Sequence, residues 1–139
     1  MPYAARTTVP VDRSKTEIEQ TLTRYGADRF AYFVEPMGAV VMFEAHGRRL
    51  RFNLPLEGGK DAKAERLRKQ RWRALLLCIK AKLESVASGI ESFEEAFLAH
   101  VVLPDNRTVY EHTAPRIAQI ANGGEMQPLL PGPAPSARS

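Results

Sequence analysis

Apolar and polar positions change period several times along the chain, and each change marks an element. Ile18, Leu22 and Tyr25 stand at i, i+4 and i+7, one stripe of an amphipathic helix. Ser14-Lys15-Thr16-Glu17 precedes the stripe with the pattern of a capping box, and Gly26 follows it as a left-handed stop. A first helix is predicted over 15–25, after an irregular or extended lead-in over 1–12. Three runs with strand character come next. Residues 29–35 alternate, with Phe30, Tyr32 or Phe33, and Val34 as apolar positions; residues 39–46 are β-branched and aromatic; in residues 48–54, Leu50, Phe52 and Leu54 alternate with Arg49, Arg51 and Asn53. Pro36-Met37-Gly38 and the stretch around His46-Gly47 are turns, which predicts an antiparallel three-stranded meander with one face on helices.

Past Pro55 and Gly58-Gly59, residues 62–86 contain neither Pro nor Gly and are dominated by Ala, Leu, Lys, Arg and Gln, strong helix formers that predict one long helix ending at Gly89. Its second half is apolar around most of its circumference, which predicts deep burial. Its first half surrounds Leu67 and Trp72 with cations, and should project into solvent or lie on the sheet with a charged rim. Two further capping boxes, Ser92 to Glu95 and Thr108 to Glu111, open shorter helices, the second kinked or restarted at Pro115. The fold class is therefore α+β: a helix, a three-stranded meander, a long helix, then shorter helices.

With 139 residues, 44% hydrophobic and 26% charged, the chain is expected to form one domain over 1–125. Residues 126–139 form a Pro-rich tail, expected to be extended or disordered. The opening MPYAARTTVP lacks the apolar run of a secretory leader, and no apolar stretch is long enough for a membrane span, so a cytoplasmic protein without membrane contact is expected. The net charge of +4 is unevenly placed: residues 60–82 carry 9 Lys and Arg against 2 Asp and Glu, whereas residues 83–139 carry 3 against 7. That asymmetry predicts an electropositive face suited to a polyanion or an acidic protein.

Candidate chemistry is sparse. Cys78, the single cysteine, lies in the most apolar part of the long helix and is expected to be buried and inert. His46, His100 and His112 have no metal-ligand spacing, and Glu44 with His46 reads as a solvated strand face rather than an acid–base pair. Glu57-Gly58-Gly59-Lys60 lacks the spacing of a phosphate loop, and Asp61 would repel a phosphate there. No catalytic residue, metal or cofactor is expected. The cations remain. Arg48, Arg49 and Arg51 lie on or beside one strand, and Arg66, Lys69 and Arg73 make a helical stripe with Lys63 near it. If helix and strand converge, they form a track for phosphates, with Tyr32 or Trp72 stacking bases. The leading expectation is a non-enzymatic binder of nucleic acid, single-stranded DNA first. The alternative is a module that occupies a surface of a host protein. An exposed sheet edge or the half-exposed helix would also serve a homodimer.

The stretches VPVDRSKTEIEQTLTRYGADRFAYF and RWRALLLCIKAKLESVASGIESFEEAFLAHVVLPDNRTVYEH resemble a family of short uncharacterised proteins of bacteriophages and prophages. The shared pattern is Arg71-Trp72-Arg73, the apolar helix with Ile79-Lys80-Ala81-Lys82, Phe93-Glu94-Glu95 and the turn at Leu103-Pro104-Asp105. The resemblance implies a phage setting, either accessory work in DNA replication or recombination or inhibition of host defence, in the cytoplasm of the bacterial host. It implies no site residue.

Overall fold

The computed structural model describes residues 10–132. The element order is α1 (Val11–Arg24), β1 (Arg29–Glu35), β2 (Gly38–Ala45), β3 (Arg48–Pro55), α2 (Ala62–Ala87), α3 (Phe93–Phe97), a 3-10 turn (Leu98–His100) and α4 (Val109–Ala121). The sheet runs β1-β2-β3, antiparallel throughout, with Phe30 opposite Phe43 and Phe43 opposite Leu50. This is the α+β arrangement expected from the periodicity. The lead-in before residue 10 and the tail after residue 132 lie outside the described residues.

Side-chain alternation splits the sheet into two unlike faces. Ala39, Val41 and Phe43 of β2 and Leu50, Phe52 and Leu54 of β3 are buried against Ile18 and Leu22 of α1, Trp72, Leu75, Leu76, Ile79 and Leu83 of α2, and Phe97 of α3. Phe97 meets both Phe43 and Phe52 edge-on, with ring centroids 6.5 and 6.4 Å away. The other face carries Arg29, Ala31, Phe33, Val40, Met42, Glu44, Arg49, Arg51 and Asn53, and no helix of the described residues is laid across its middle. In β1 the inward residues are Phe30 and Tyr32, while Phe33 points outward and is 55% exposed.

Local sequence explains the turns. His46 and Gly47 have φ of 53° and 73°, the paired positive values of a two-residue type I′ hairpin, which only small or turn-tolerant residues adopt cheaply. The capping boxes at Ser92/Glu95 and Thr108/Glu111 form as expected, each with both reciprocal hydrogen bonds. Pro115 neither breaks nor restarts α4. Its ring removes the N–H that would bond the Glu111 carbonyl, and the Arg107 guanidinium donates to that carbonyl instead, at 3.3 Å. The described part of the tail turns back on α4, where Arg116 donates to the Pro128 carbonyl at 2.7 Å and Gln127 to Gln119 at 2.9 Å.

Two expectations are corrected. Helix α1 starts at Val11 with Pro10 as its cap, so Ser14 is inside the first turns, fully buried, and its hydroxyl has no partner. Glu17, freed from capping, faces α2. The second half of α2 is not buried around its circumference: Ala74, Cys78 and Ala81 form an exposed strip. Small side chains there leave the helix surface open to water, and the apolar run that suggested burial reflects helix propensity as much as packing. The first half lies on the core with Ala64 and Trp72 buried and its cations at the rim, the second of the two placements expected for it.

Candidate nucleic-acid interface

The expected cationic track divides into two groups on opposite layers. Arg49 and Arg51 share the sheet face with Met42 and Glu44, turned away from α2. Arg66, Lys69 and Arg73 lie on α2, across the core from them. The convergence that would have made a single patch does not occur, because residues flanking Leu50 and Phe52 point away from the helices on which those two side chains pack.

Internal carboxylates neutralise most of the strand group. Arg48 pairs with Glu94 of α3, and Arg49 lies 4.0 Å from Glu44, which also faces Arg29 at 3.4 Å. Arg51 is the most enclosed, its side chain 14% exposed; it pairs with Glu111 and donates to the Asn106 carbonyl at 2.9 Å. The Glu111 carboxyl is held below the usual carboxylate range by the Thr108 amide first, with Arg51 adding to the effect. Arg51 thus fastens α4 to the sheet. A cleft of about 560 Å³ opens beside the hairpin, lined by Asp28, Glu44, His46, Arg48, Arg49 and Asn106 among others. Its cations are among those already paired. Glu44 and His46 do not act together: Glu44 is engaged by arginines, and the His46 ring lies tilted against Phe93 at 4.3 Å.

On α2, Arg73 contacts Glu17 at 3.1 Å and Lys69 contacts Glu65 at 3.9 Å. Arg68 is turned to backbone, donating to the Gly59 carbonyl at 2.8 Å. Lys63 and Arg66 are exposed and form no ion pair with any described residue, and the same holds for Lys60 and Arg71, which a search for one helical stripe passes over. These four cations surround the first turns of α2 and the loop that enters it. The stripe pointed to Arg66, with Lys63 near it; the signal for Lys60 and Arg71 was the charge count over 60–82.

Burial withdraws Trp72 from stacking, and Tyr32 is half-buried against it. Trp72 is 1% exposed and presents no ring face to a base. Tyr32 tilts against it at 6.1 Å and donates its hydroxyl to the Lys15 carbonyl at 3.3 Å; burial raises that hydroxyl's pKa well above its ordinary value. Lys15 covers the indole from 4.9 Å, completing a closed cluster. Among the described residues no group of His, Cys, Asp and Glu is arranged to hold a metal ion, and no helix is long and apolar enough to cross a membrane. Compared with protein-family models, with curated proteins and with solved structures, the chain matches none.

Proposed function

We infer that the protein is a non-enzymatic binder of nucleic acid that grips the phosphate backbone with Lys60, Lys63, Arg66 and Arg71. The observation that carries this reading is that these four side chains are exposed and uncompensated while neighbouring cations are engaged by carboxylates or backbone. Unpaired Arg and Lys on a rigid helix release counterions from a polyanion without first breaking an ion pair. Lys63 and Arg71 stand about 12 Å apart along the axis at helical rise, enough for contacts to successive phosphates. With Trp72 buried and Tyr32 held against it, the cations have no stacking platform beside them, so binding is to backbone charge and discriminates weakly between single and double strands. The phage resemblance supplies a setting in DNA replication or recombination.

A salt series tests this directly. Four phosphate contacts give a log–log slope of about −3.6 on duplex and about −2.8 on single strands, a loss of roughly a hundredfold between 50 and 200 mM salt. The triple substitution Lys63→Glu, Arg66→Glu, Arg71→Glu should abolish binding and leave the circular dichroism unchanged. Binding that survives it, or a slope near zero, rejects the assignment.

A second reading, a module docking on a host protein, is favoured by the open sheet face, where Phe33, Val40 and Met42 form an apolar centre between charged rows. Binding to purified nucleic acid without any protein partner separates the two.

A further inference from the structure

The geometry points to β1 as a self-complementary edge that joins a second copy of this chain into a continuous six-stranded sheet. The outer side of β3 is occupied at its start: Val102 donates its N–H to the Arg49 carbonyl at 2.8 Å, and Val101 bridges to Leu50. No described segment covers β1 in that way.

The direction of its backbone groups follows from that hydrogen bond. The Arg49 carbonyl points away from β2, so Leu50 and Phe52 face β2, and their partners Phe43 and Val41 face β3. The alternate residues of β2, Val40 and Met42, therefore face β1, bonded to Phe33 and Ala31. Phe30, Tyr32 and Val34 are left with N–H and C=O groups turned outward into an unpaired row.

In sequence the strand reads Arg29-Phe30-Ala31-Tyr32-Phe33-Val34-Glu35. Antiparallel pairing about a two-fold axis through Tyr32 sets Tyr32 against its own copy and Phe30 against Val34 of the second copy. All of these have outward backbone groups, so this register makes hydrogen-bonded pairs without adjustment. The same register sets Arg29 opposite Glu35 of the second copy at both ends, and Ala31 opposite Phe33, a small side chain against a large one on the open face. Exposed edges are commonly guarded by charge of one sign, which repels a copy; here the two ends carry opposite signs, which attract it. Arg29 is 79% exposed on its side chain with one ion pair among the described residues, to Glu44, and Glu35 makes no ion pair with any described residue. Phe33 and Val34, 55% and 59% exposed, supply apolar area to be covered. The inference is independent of the nucleic-acid reading.

The test is sedimentation equilibrium of the full chain with a charge swap. Arg29→Glu and Glu35→Arg each place like charges opposite one another and should weaken the dimer about tenfold or more, whereas the double swap restores it. Val34→Pro deletes only an outward N–H and should also weaken it. Amide exchange supplies an arm that does not depend on any variant: protection of Phe30, Tyr32 and Val34 should rise with protein concentration. A chain monomeric at all concentrations, a double swap that fails to restore association, or protection independent of concentration (the edge covered by another part of the same chain) each overturns the proposal.

Discussion

The Arg73 guanidinium reaches from α2 to the Glu17 carboxylate of α1, 3.1 Å away, and is thereby committed to holding two helices together. Glu17 also meets Lys80 at 3.7 Å and Arg13 at 3.5 Å, so one carboxylate collects cations from both helices. Glu17→Ala should therefore lower stability by about 1 kcal/mol, toward the upper end for partly exposed pairs, with less effect at high salt. Urea unfolding at two ionic strengths checks this; a loss equal at both would point to packing rather than charge.

Ser14 and Thr108 make opposite predictions although both begin capping-box sequences. Thr108 accepts the Glu111 amide at 3.2 Å, and Thr108→Ala should cost about 1 kcal/mol. The buried Ser14 hydroxyl has no partner, so Ser14→Ala should leave stability unchanged or raise it by about 0.5–1 kcal/mol, by removing a desolvated hydroxyl and improving helix propensity. Thermal melts of the two variants decide; a loss of stability in Ser14→Ala would return that residue to a capping role.

Trp72 is the only tryptophan, so its emission reports the core alone. Its spectrum should be blue-shifted, resist iodide quenching and stay unquenched when single-stranded DNA is added. Trp72→Ala should cost about 3–5 kcal/mol, much of the stability of an ordinary domain. Quenching by a bound oligonucleotide would place the indole at the interface after all.

Acid should destabilise the fold in two stages. His100 stacks on Phe52 at 3.9 Å, and burial first, then the Lys82 charge, lowers its pKa below the ordinary value, against a small opposing effect from the Arg51 backbone. A depressed folded-state value means that stability is complete above the unfolded pKa of about 6.5 and is lost as pH falls through the folded one. Glu95, Asp105 and Glu111 are also lowered, chiefly by backbone amides of Ser92, Arg107 and Thr108, so their contribution is lost at more acid pH, as each protonates. Melting temperature should begin to fall below about pH 6.5 and fall again below about pH 4. His100→Gln should remove the first decline and keep the second; an unchanged first decline would assign it elsewhere.

Local patterns carried the fold further than the site. Leu50, Phe52 and Leu54 announce a one-faced strand, His46-Gly47 a tight hairpin, and Ser92 and Thr108 their helices, because each depends on neighbours within a few residues. The fate of a cation depends on distant ones. Arg51 is engaged by Glu111 and Arg73 by Glu17, pairs separated by 60 and 56 residues, and no local spacing predicts them. Ser14 shows the same limit at short range: its capping sequence is intact, yet α1 begins at Val11, ahead of it. The apolar open face had a legible signal in the unbroken run of β2, where Val40 and Met42 interrupt the alternation expected of a half-solvated strand.

Val101 and Val102, a short extended segment lying along β3, have a consequence for how the molecule avoids aggregation. A sheet with two bare margins can add subunits on either side and grow into a fibre. With the start of its β3 margin occupied by its own chain, this sheet offers β1 as its more open side, and a union through β1 uses up that side in both participants. Growth by that route ends at its first step.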